Sequence, residues 1–401
     1  MKVACIGNMN NNLCALARYF RDAGMDTHLF LLDYEHSHFH PSADMFDLAY
    51  QKYTHQLAWG HPFRFLSVSP DEVARDLEGY DKLVGCGTAP AFLNKIGRAL
   101  DLFVPYGNDI YEYPFFQFHK NPKHLVHYLS FSSSQRDGIR KARYVSYDET
   151  NGIHERKLAP LRLGGRRIRV PPPCLYAPDW EPGAVLRFCH RSHWYEELAK
   201  IRAASDLVVF HHCSQRWASF RDPFLNKGND KLVRGFAEFV GLGRAINPVL
   251  IMVEYGPDVL ATKRLVSDLG IEQFVRWLPQ MHRKEIRIAL SLADIVAGEF
   301  GLSYVTYGVV NEGLASAKPV MHHRDDELYL GQYEALYPMI NADSPGRIAQ
   351  GLADYVQDPV RYKRMGEEGR RWLQGFVIER SLRLYLKILQ GDPRGVGKDT
   401  R

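Results

Sequence analysis

The sequence predicts an α/β fold made of two domains, each with a parallel sheet. Three observations support this prediction: the length of the chain, a strand–loop–helix–strand pattern at its N-terminus, and the return of the same alternation after a proline-rich stretch. At roughly 100–200 residues per domain, 401 residues correspond to two domains. Hydrophobic residues make up 45% of the chain and charged residues 24%. This balance is that of an ordinary globular protein, so a disordered or fibrous chain is excluded.

The N-terminal segment has the pattern of a βαβ unit. Residues 2–7 (KVACIG) predict a buried strand that ends at a glycine, and residues 27–32 (THLFLL) predict a second strand. Between them, residues 13–23 have apolar side chains at positions 13, 16, 17 and 20, which is the spacing of an amphipathic helix. Strand, helix and strand in succession predict parallel pairing, because the helix returns the chain to the start of the sheet.

A proline-rich stretch marks the predicted domain boundary. Residues 171–183 (PPPCLYAPDWEPG) contain five prolines, which cannot continue a helix or a central strand. Strands then alternate with helices again, from 207–210 (LVVF) to a last predicted strand at 318–321 (KPVM). We therefore predict an N-terminal domain over 1–175, a C-terminal domain over 185–375, and a C-terminal helix and tail over 376–401. We expect the domains to face a cleft, because parallel sheets bind ligands at the carboxyl ends of their strands.

Charge and cysteine content exclude several classes of protein. The formal net charge of +5 comes from 51 basic and 46 acidic residues, an excess too small to indicate a nucleic-acid-binding protein. No two of the six cysteines have the CxxC spacing, so neither a zinc site nor a disulfide framework is predicted. No apolar run approaches the ~20 residues that span a bilayer, and the N-terminus does not have the pattern of a secretory signal. We expect a cytoplasmic protein.

Lys227 and Gly228 lie in a loop directly before a predicted helix. A lysine at a helix start suits a phosphate, because the backbone N–H groups of the first turn also attract an anion; a solvated surface lysine is the alternative. The surrounding sequence favours the phosphate. A strand at 208–210 precedes this loop, and four further segments follow in order: EYGP (254–257), DLGIEQFVRWLP (268–279), LADIVAGEF (292–300) and NEGLASAKPV (311–320).

Together these segments resemble the donor domain of GT-B glycosyltransferases, in particular the retaining family 4 group, and the resemblance covers nearly the whole chain. It implies two Rossmann-like domains facing a cleft, with the nucleotide-sugar donor on the C-terminal domain. It also implies that Lys227 and a nearby arginine hold the donor diphosphate, so that neither a metal nor another cofactor is expected. Arg216 is the first candidate for this arginine and Arg221 the second. Glu312 matches the glutamate that binds the ribose hydroxyls, or else complements a helix dipole.

The sequence departs from the family at one position. The family has a first glutamate eight residues before the second, where this chain has Tyr304; the nearest acidic residue is Glu299. We interpret Glu299 as a replacement that contacts the donor sugar, with a structural acid at a strand end as the alternative. Gly256 of EYGP corresponds to a glycine of the family's donor-binding pattern. We expect Gly301 and Gly308 to let backbone amides approach the sugar and phosphates.

The N-terminal domain contributes weaker signals. Gly7 and the asparagine loop that begins at Asn8 precede a helix, whose N-terminus attracts anions, so we predict that they face the donor. Asp109, in YGNDI, is the predicted acid near the reaction centre, and an Asx-turn is its alternative. Tyr106 stands where relatives often have histidine, so no histidine role is transferred to it. The aromatic run 111–118 predicts core or cleft wall.

The resemblance implies a hexosyltransferase of glycan biosynthesis that moves a sugar from a UDP- or GDP-sugar to an acceptor hydroxyl, with retained configuration and without a metal. The acceptor can be a glycan, a lipid-linked glycan, a protein or a small molecule. The basic stretch 156–169 indicates either peripheral contact with an anionic membrane, at the inner face, or an ordinary surface hairpin. Two alternatives stay open: a GT-B sugar-nucleotide epimerase or inverting transferase, and a GT-B protein that binds a nucleotide sugar without catalysis.

Overall fold

The computed structural model describes residues 1–115, 125–147, 158–163, 167–220, 225–331 and 333–391. The chain divides into two compact units, one formed by Met1–Tyr176 with Gly375–Arg401 and the other by Ala177–Gln374. The first break falls inside the proline-rich stretch. The second break returns the C-terminal end of the chain to the first unit.

The first unit contains a seven-stranded sheet with the strand order β3-β2-β1-β4-β5-β6-β7. All the pairings recorded among its described residues are parallel. Strand β1 lies in the interior of the sheet, between β2 and β4, and its apolar side chains are buried; its Cys5 lies opposite both Leu29 and Val84. The strands are β1 (Lys2–Ile6), β2 (Asp26–Leu31), β3 (Thr54–Gln56), β4 (Lys82–Gly85), β5 (Leu102–Phe103), β6 (Tyr144–Ser146) and β7 (Arg167–Ile168).

Helices cover both faces of this sheet. One buried cluster contains Trp59, Phe92 and Phe131, and the other contains Leu16 and Phe20 of the first helix. The first helix follows the predicted amphipathic pattern, which places its apolar side chains against the sheet. The helices of this part of the chain are α1 (Asn12–Asp22), α2 (Pro70–Asp76), α3 (Ala89–Lys95), α4 (Asn108–Tyr111) and α5 (Leu125–Lys141).

The second unit contains a six-stranded sheet with the order β10-β9-β8-β11-β12-β13, again with parallel pairings throughout its described residues. Strand β8 lies in the interior, between β9 and β11, and all five of its residues are buried. The strands are β8 (Leu207–His211), β9 (Pro248–Glu254), β10 (Val275–Pro279), β11 (Ile295–Ala297), β12 (Val320–His322) and β13 (Ile340–Asn341).

The core of the second unit is built from the inward faces of helices against this sheet. Leu232, Val233 and Phe236 of one helix pack with Leu250 and Ile295 of the strands. The helices are α6 (Pro182–Phe188), α7 (Tyr195–Ala204), α8 (Asn229–Gly241), α9 (Val259–Asp268), α10 (Arg283–Leu292), α11 (Gly308–Ala315), α12 (Pro345–Gln357) and α13 (Pro359–Trp372).

The C-terminal segment joins the first unit. A π-helical stretch, Leu373–Glu379, leads into α14 (Arg380–Leu389). Leu384, Tyr385 and Ile388 of α14 are buried in the same cluster as Phe20 of α1. The Tyr385 hydroxyl also lies 2.6 Å from the Ser146 hydroxyl at the end of β6. Burial of its apolar stripe therefore fixes the helix on the first unit.

Most predicted strands and helices are observed within one or two residues of their predicted ends. The prediction that residues 318–321 form the last strand is wrong, since β12 covers Val320–His322 and β13 follows it. Strands of two or three residues, such as β13, are too short to show a period-2 pattern. In the described parts of the chain, no helix is both long and apolar enough to cross a membrane.

Candidate functional site

The candidate site lies at the carboxyl edge of the second sheet. Strand β8 ends at His211 and β11 ends at Ala297, and the His211 Nδ1 atom lies 3.0 Å from the Ala297 carbonyl oxygen. Helices α8 and α11 begin at the same edge. Four predicted residues, Arg216, Lys227, Glu299 and Glu312, follow these strand ends or lie near these helix starts, where parallel α/β sheets bind ligands.

Lys227 is held in place by its backbone and paired through its side chain. Its N–H donates to the Arg216 carbonyl (2.7 Å), and its own carbonyl accepts from the Phe300 N–H (2.9 Å). Its ammonium lies 2.5 Å from the Glu299 carboxylate, and the two side chains are 28% and 11% exposed. The predicted phosphate-binding cation therefore has a counter-ion within the protein, and an incoming phosphate must compete with it.

Arg216 adjoins Lys227. The Arg216 N–H donates to the side-chain oxygen of Asn229 (2.9 Å), the first residue of α8, and its Nε donates to the Ser214 hydroxyl (3.2 Å). Its guanidinium lies over the Phe220 ring, 5.4 Å from the centroid. The two cations are thus brought to neighbouring backbone positions at one helix start. The second candidate, Arg221, lies outside the described residues.

Asp258 fixes the loop that carries Arg216. Its carboxylate accepts from the backbone N–H groups of Trp217 (2.7 Å), Ala218 (3.0 Å) and Ser219 (3.2 Å). Burial raises the pKa of Asp258, but the hydrogen bonds from Ser219 and from the backbone outweigh burial and lower it. Asp258 is a positioning residue that the sequence analysis does not identify.

Glu312 has both carboxylate oxygens occupied. Oε1 lies 2.9 Å from the Arg283 Nε, and Oε2 lies 2.6 Å from the His212 Nε2. Glu312 is buried, which favours the neutral acid. The hydrogen bond and charge of His212, together with Arg283, outweigh this burial and hold the pKa of Glu312 below its ordinary value. An ionised acceptor is therefore available within α11. Glu312 is the fifth residue of this helix and lies beyond its first turn, so the alternative role of complementing the helix dipole is wrong.

Two of the predicted glycines are required by the structure. Gly256 has φ +109°, and a Cβ there would lie 2.6 Å from the Gln215 backbone N and O. A Cβ at Gly301 would lie 2.1 Å from the Asn226 carbonyl oxygen, next to Lys227. Among the described residues beyond its chain neighbours and its own helix, no atom lies within 4 Å of a Cβ built at Gly308, so packing against them does not require glycine there. Its predicted role toward the ligand stays a prediction.

The other predicted residues lie in the first unit, at the carboxyl edge of its sheet. Gly7 has φ +85°, a conformation that favours glycine. Asn8 is buried, and its side-chain oxygen accepts from the Cys14 N–H (2.8 Å) in the first turn of α1. Its side-chain nitrogen donates to the Asn11 side chain (2.8 Å). The Asn8 amide therefore stabilises the helix start.

Asp109 is fully buried, and burial raises its pKa. Its carboxylate accepts from the backbone N–H groups of Gly87 (3.0 Å), Tyr106 (3.0 Å) and Gly107 (2.8 Å). This is the turn geometry that the sequence analysis gives as the alternative. The first part of the aromatic run, Tyr111 and Tyr113, packs against the core, and residues 116–118 lie outside the described residues.

Comparison with known proteins identifies the fold. No family model matches the chain. A D-inositol 3-phosphate glycosyltransferase from Kineococcus radiotolerans is 30% identical over 163 residues, which are 36% of this chain and 36% of that protein. The match therefore spans about a third of the length of this relative.

Several solved structures match nearly the whole chain. Anabaena HepE in complex with UDP-glucose is 14% identical with a TM-score of 0.56, covering 99% of this chain and 100% of that one. WaaG, a glycosyltransferase of lipopolysaccharide biosynthesis, is 13% identical (TM-score 0.54; 98% and 100%). UDP-GlcNAc 2-epimerase from Neisseria meningitidis is 10% identical (TM-score 0.54; 97% and 100%). The chain has the GT-B fold.

The GT-B fold confirms the predicted fold class. Glycosyltransferases and an epimerase share this fold, so the fold alone does not determine which reaction a protein catalyses. The reaction depends on the residues of the site, which are those of the second unit described above. The basic stretch 156–169 is only partly described, because residues 156, 157 and 164–166 lie outside the described ranges.

Sequence reasoning misses two residues of this site, His212 and Arg283. His212 directly follows strand β8, and no sequence pattern identifies it as the partner of a carboxylate. Arg283 lies in the first turn of α10, where a cation opposes the helix dipole. This unfavourable position is a signal that the side chain has an acidic partner, and Glu312 is that partner.

Proposed function

We propose that this GT-B protein is a glycosyltransferase that moves a sugar from a nucleoside diphosphate sugar to an acceptor hydroxyl. The observation that carries the proposal is the convergence of Lys227, Arg216, Glu299 and Glu312 at one edge of the second sheet. Two cations beside two carboxylates suit a ligand with a charged diphosphate and two sets of hydroxyls. A sugar nucleotide has this composition.

The cations bind the diphosphate of the donor. Lys227 and Arg216 lie on hydrogen-bonded backbone positions, and the N-terminus of α8 adds the attraction of its free N–H groups. As the bond from sugar to phosphate breaks, negative charge grows on the leaving phosphate, and the same cations stabilise it more strongly. They supply the charge compensation that a metal supplies elsewhere, so we expect a metal-independent reaction.

The carboxylates bind the hydroxyls of the donor. Glu312 has a lowered pKa and lies within α11, beside His212 and Arg283, and an ionised carboxylate suits the ribose hydroxyls. Glu299 lies beside Lys227 and so adjoins the position of the diphosphate, where the transferred sugar is attached. The HepE structures with UDP and UDP-glucose favour UDP among the expected nucleotides. Retention of configuration is the expectation from the family resemblance.

The proposed acceptor bears a free hydroxyl, and the first unit is its proposed binding domain. Each carboxylate oxygen of Asp109 already accepts two backbone hydrogen bonds, Oδ1 from Tyr106 and Gly107 and Oδ2 from Gly87 and Tyr106, so neither oxygen is assigned to the acceptor. We assign it a positioning role for the loop 105–109. We also propose that the protein acts in glycan biosynthesis, that it is cytoplasmic, and that it contacts a membrane peripherally.

A second candidate is a GT-B sugar-nucleotide epimerase. The full-length structural match to UDP-GlcNAc 2-epimerase supports it. The third alternative, nucleotide-sugar binding without catalysis, is motivated by Tyr304 in place of the family's first glutamate. These candidates share the diphosphate site and differ in what happens to the donor.

The test is nucleoside diphosphate release from UDP-, GDP- and ADP-sugars, with EDTA present. We expect slow hydrolysis of one donor by the wild type, at least tenfold less in Lys227→Ala, and wild-type activity in Lys263→Ala. Lys263 is a matched control, because it is an exposed lysine paired with Glu254 at 2.5 Å. Conversion of the donor sugar to its epimer would support the epimerase. Tight binding of a donor without turnover would support the non-catalytic protein. Equal activity of Lys227→Ala and Lys263→Ala would contradict the diphosphate site at Lys227.

A further inference from the structure

A cavity of about 540 Å³ lies in the first unit, and none of the sequence-predicted site residues lines it. It is formed at the carboxyl ends of β2 and β3 and by the loop that follows β2. Crevices at this edge of parallel sheets are ligand sites. The lining includes Asp33, Glu35, His36, Ser37, His40 and Gln56.

Glu35 is fixed at the wall of this cavity. One carboxylate oxygen accepts from the Leu32 N–H (3.0 Å), and the other accepts from the Asn8 N–H. Each oxygen has a second lone pair, so a carboxylate held in this way can accept further hydrogen bonds. Burial raises the pKa of Glu35 to about 7. At neutral pH its carboxyl group can thus donate a hydrogen bond to a hydroxyl or accept one from it.

The other polar groups of the cavity are matched to an uncharged ligand. The Asp33 charge is compensated by Arg64 (2.8 Å), and its other oxygen accepts from the His61 N–H (2.7 Å). The Ser42 N–H donates to the His40 Nδ1 (3.2 Å), so the neutral ring carries its proton on Nε2 and can donate it. Among the described residues that line the cavity there is no lysine or arginine.

We infer that this cavity binds an uncharged polyhydroxylated ligand, a carbohydrate or cyclitol, and discriminates against a phosphorylated one. Hydroxyls both donate and accept, so they can pair with Glu35, His40 and the side chains of Ser37 and Gln56. A phosphate would bring negative charge next to the carboxyl groups of Asp33 and Glu35, and the described lining contains no lysine or arginine to compensate it. The inference deepens the proposed function, on which it rests, by giving the chemical class of the acceptor.

The test is ligand binding by saturation-transfer difference NMR with methyl glycosides of glucose, galactose, mannose and N-acetylglucosamine. We expect at least one glycoside to bind, and its 6-phosphate to bind at least tenfold more weakly. Glu35→Gln places an amide against a backbone N–H and can disturb the loop. A second variant, Ser37→Trp, therefore fills the cavity from its exposed rim and should lower affinity at least tenfold. Gln51→Trp, an exposed position outside the lining, should bind as the wild type does.

Lys227→Ala separates this inference from the proposed function. We expect it to bind the glycoside as tightly as the wild type while losing affinity for UDP. Absence of donor hydrolysis by the wild type, with glycoside binding that is intact and sensitive to Ser37→Trp, would contradict the transferase and leave the cavity's ligand class standing. The inference would be overturned if the phosphorylated glycoside bound as tightly as the unphosphorylated one, or more tightly. It would also be overturned if no glycoside bound, or if Ser37→Trp did not weaken glycoside binding.

Discussion

The Lys227 ammonium lies 2.5 Å from the Glu299 carboxylate, and both side chains are mostly buried. The cation that we assign to the donor diphosphate is therefore neutralised before any ligand arrives. A diphosphate must displace Glu299 from Lys227 or share the lysine with it. Under the proposed function, a Glu299 carboxylate freed from Lys227 would accept hydrogen bonds from the hydroxyls of the donor sugar. We therefore expect this ion pair to couple donor binding to sugar recognition.

We predict that Glu299→Gln binds free UDP about three- to tenfold more tightly than the wild type, because Lys227 loses its competing anion. Sugar transfer should fall at least tenfold, because an amide is a weaker acceptor for the sugar hydroxyls. Calorimetric titration with UDP and a turnover assay measure the two effects. Glu254→Gln, which breaks an exposed lysine pair, is the control. Weaker UDP binding in Glu299→Gln would show that Glu299 positions Lys227 and does not compete with its ligand.

His212 allows a test with two substitutions. Its Nε2 contacts Glu312, whereas its buried Nδ1 has no hydrogen-bond partner within the described chain. Glutamine can place an amide near the Nε2 position, and asparagine is too short to do so. We expect His212→Gln to retain most of the stability and UDP affinity, and His212→Asn to lose about 1–3 kcal/mol of stability because a buried charge loses its partner. Urea unfolding and UDP titration measure these effects. If His212→Asn were more stable and bound UDP more tightly than His212→Gln, the assigned contact of Nε2 with Glu312 would be contradicted.

The sequence predicts the elements of the fold well because their signals are local. Lys227 and Glu312 are also found locally, since Lys227 lies in the loop before a helix and Glu312 lies within the short segment NEGLASAKPV (311–320). The contact of Glu312 with His212 and Arg283 is different. It depends on β8 lying next to β11 in the sheet, and periodicity does not reveal strand order. For the same reason the sequence does not show that α14 packs with α1, although its apolar stripe predicts that it packs somewhere.

Gly301 and Gly308 form a matched pair for testing close packing. A Cβ at position 301 would lie 2.1 Å from the Asn226 carbonyl oxygen, whereas a Cβ at 308 meets nothing within 4 Å. We predict that Gly301→Ala displaces the loop of Lys227 and lowers UDP affinity at least tenfold. Gly308→Ala should change UDP affinity less than twofold. Fluorescence titration with UDP measures both. A large loss in Gly308→Ala alone would show that the ligand itself approaches this glycine.

Arg283→Met tests the charge balance of Glu312. The variant leaves a buried carboxylate with one partner fewer, and we expect a loss of about 3 kcal/mol in the free energy of unfolding at pH 7. The folded-state pKa of Glu312 is lowered, so its pairing stabilises the protein above its ordinary pKa and is lost as pH falls through the folded-state value. The difference in the free energy of unfolding between Arg283→Met and the wild type should therefore become smaller as the pH falls below about 4.5.

The control for Arg283→Met is Arg347→Met, which breaks a surface pair with Asp343 at 3.7 Å in which the arginine is 66% exposed. Such pairs contribute roughly 0–1 kcal/mol. Urea unfolding at pH 7 and pH 4 measures both variants. A difference for Arg283→Met that does not depend on pH would show that the lost packing of its aliphatic stem, and not its charge, is what the protein needs.

Glu35 should produce a pH dependence of the opposite sign. Burial raises its folded-state pKa from an ordinary value of 4.5 to about 7, and the hydrogen bonds from Asn8 and Leu32 only partly oppose this shift. Between these values the folded protein holds a proton that the unfolded chain has released, so stability falls as pH rises from 4.5 to 7. In Glu35→Gln this contribution is absent. We therefore expect the stability of the wild type relative to Glu35→Gln to decrease by roughly 2–3 kcal/mol across this range. Urea unfolding at half-unit pH steps measures the decrease, with the exposed Glu78→Gln as the control. If the stability difference between the wild type and Glu35→Gln were constant with pH, Glu35 would stay ionised in the folded protein. Its carboxylate could then only accept hydrogen bonds from a ligand in the cavity.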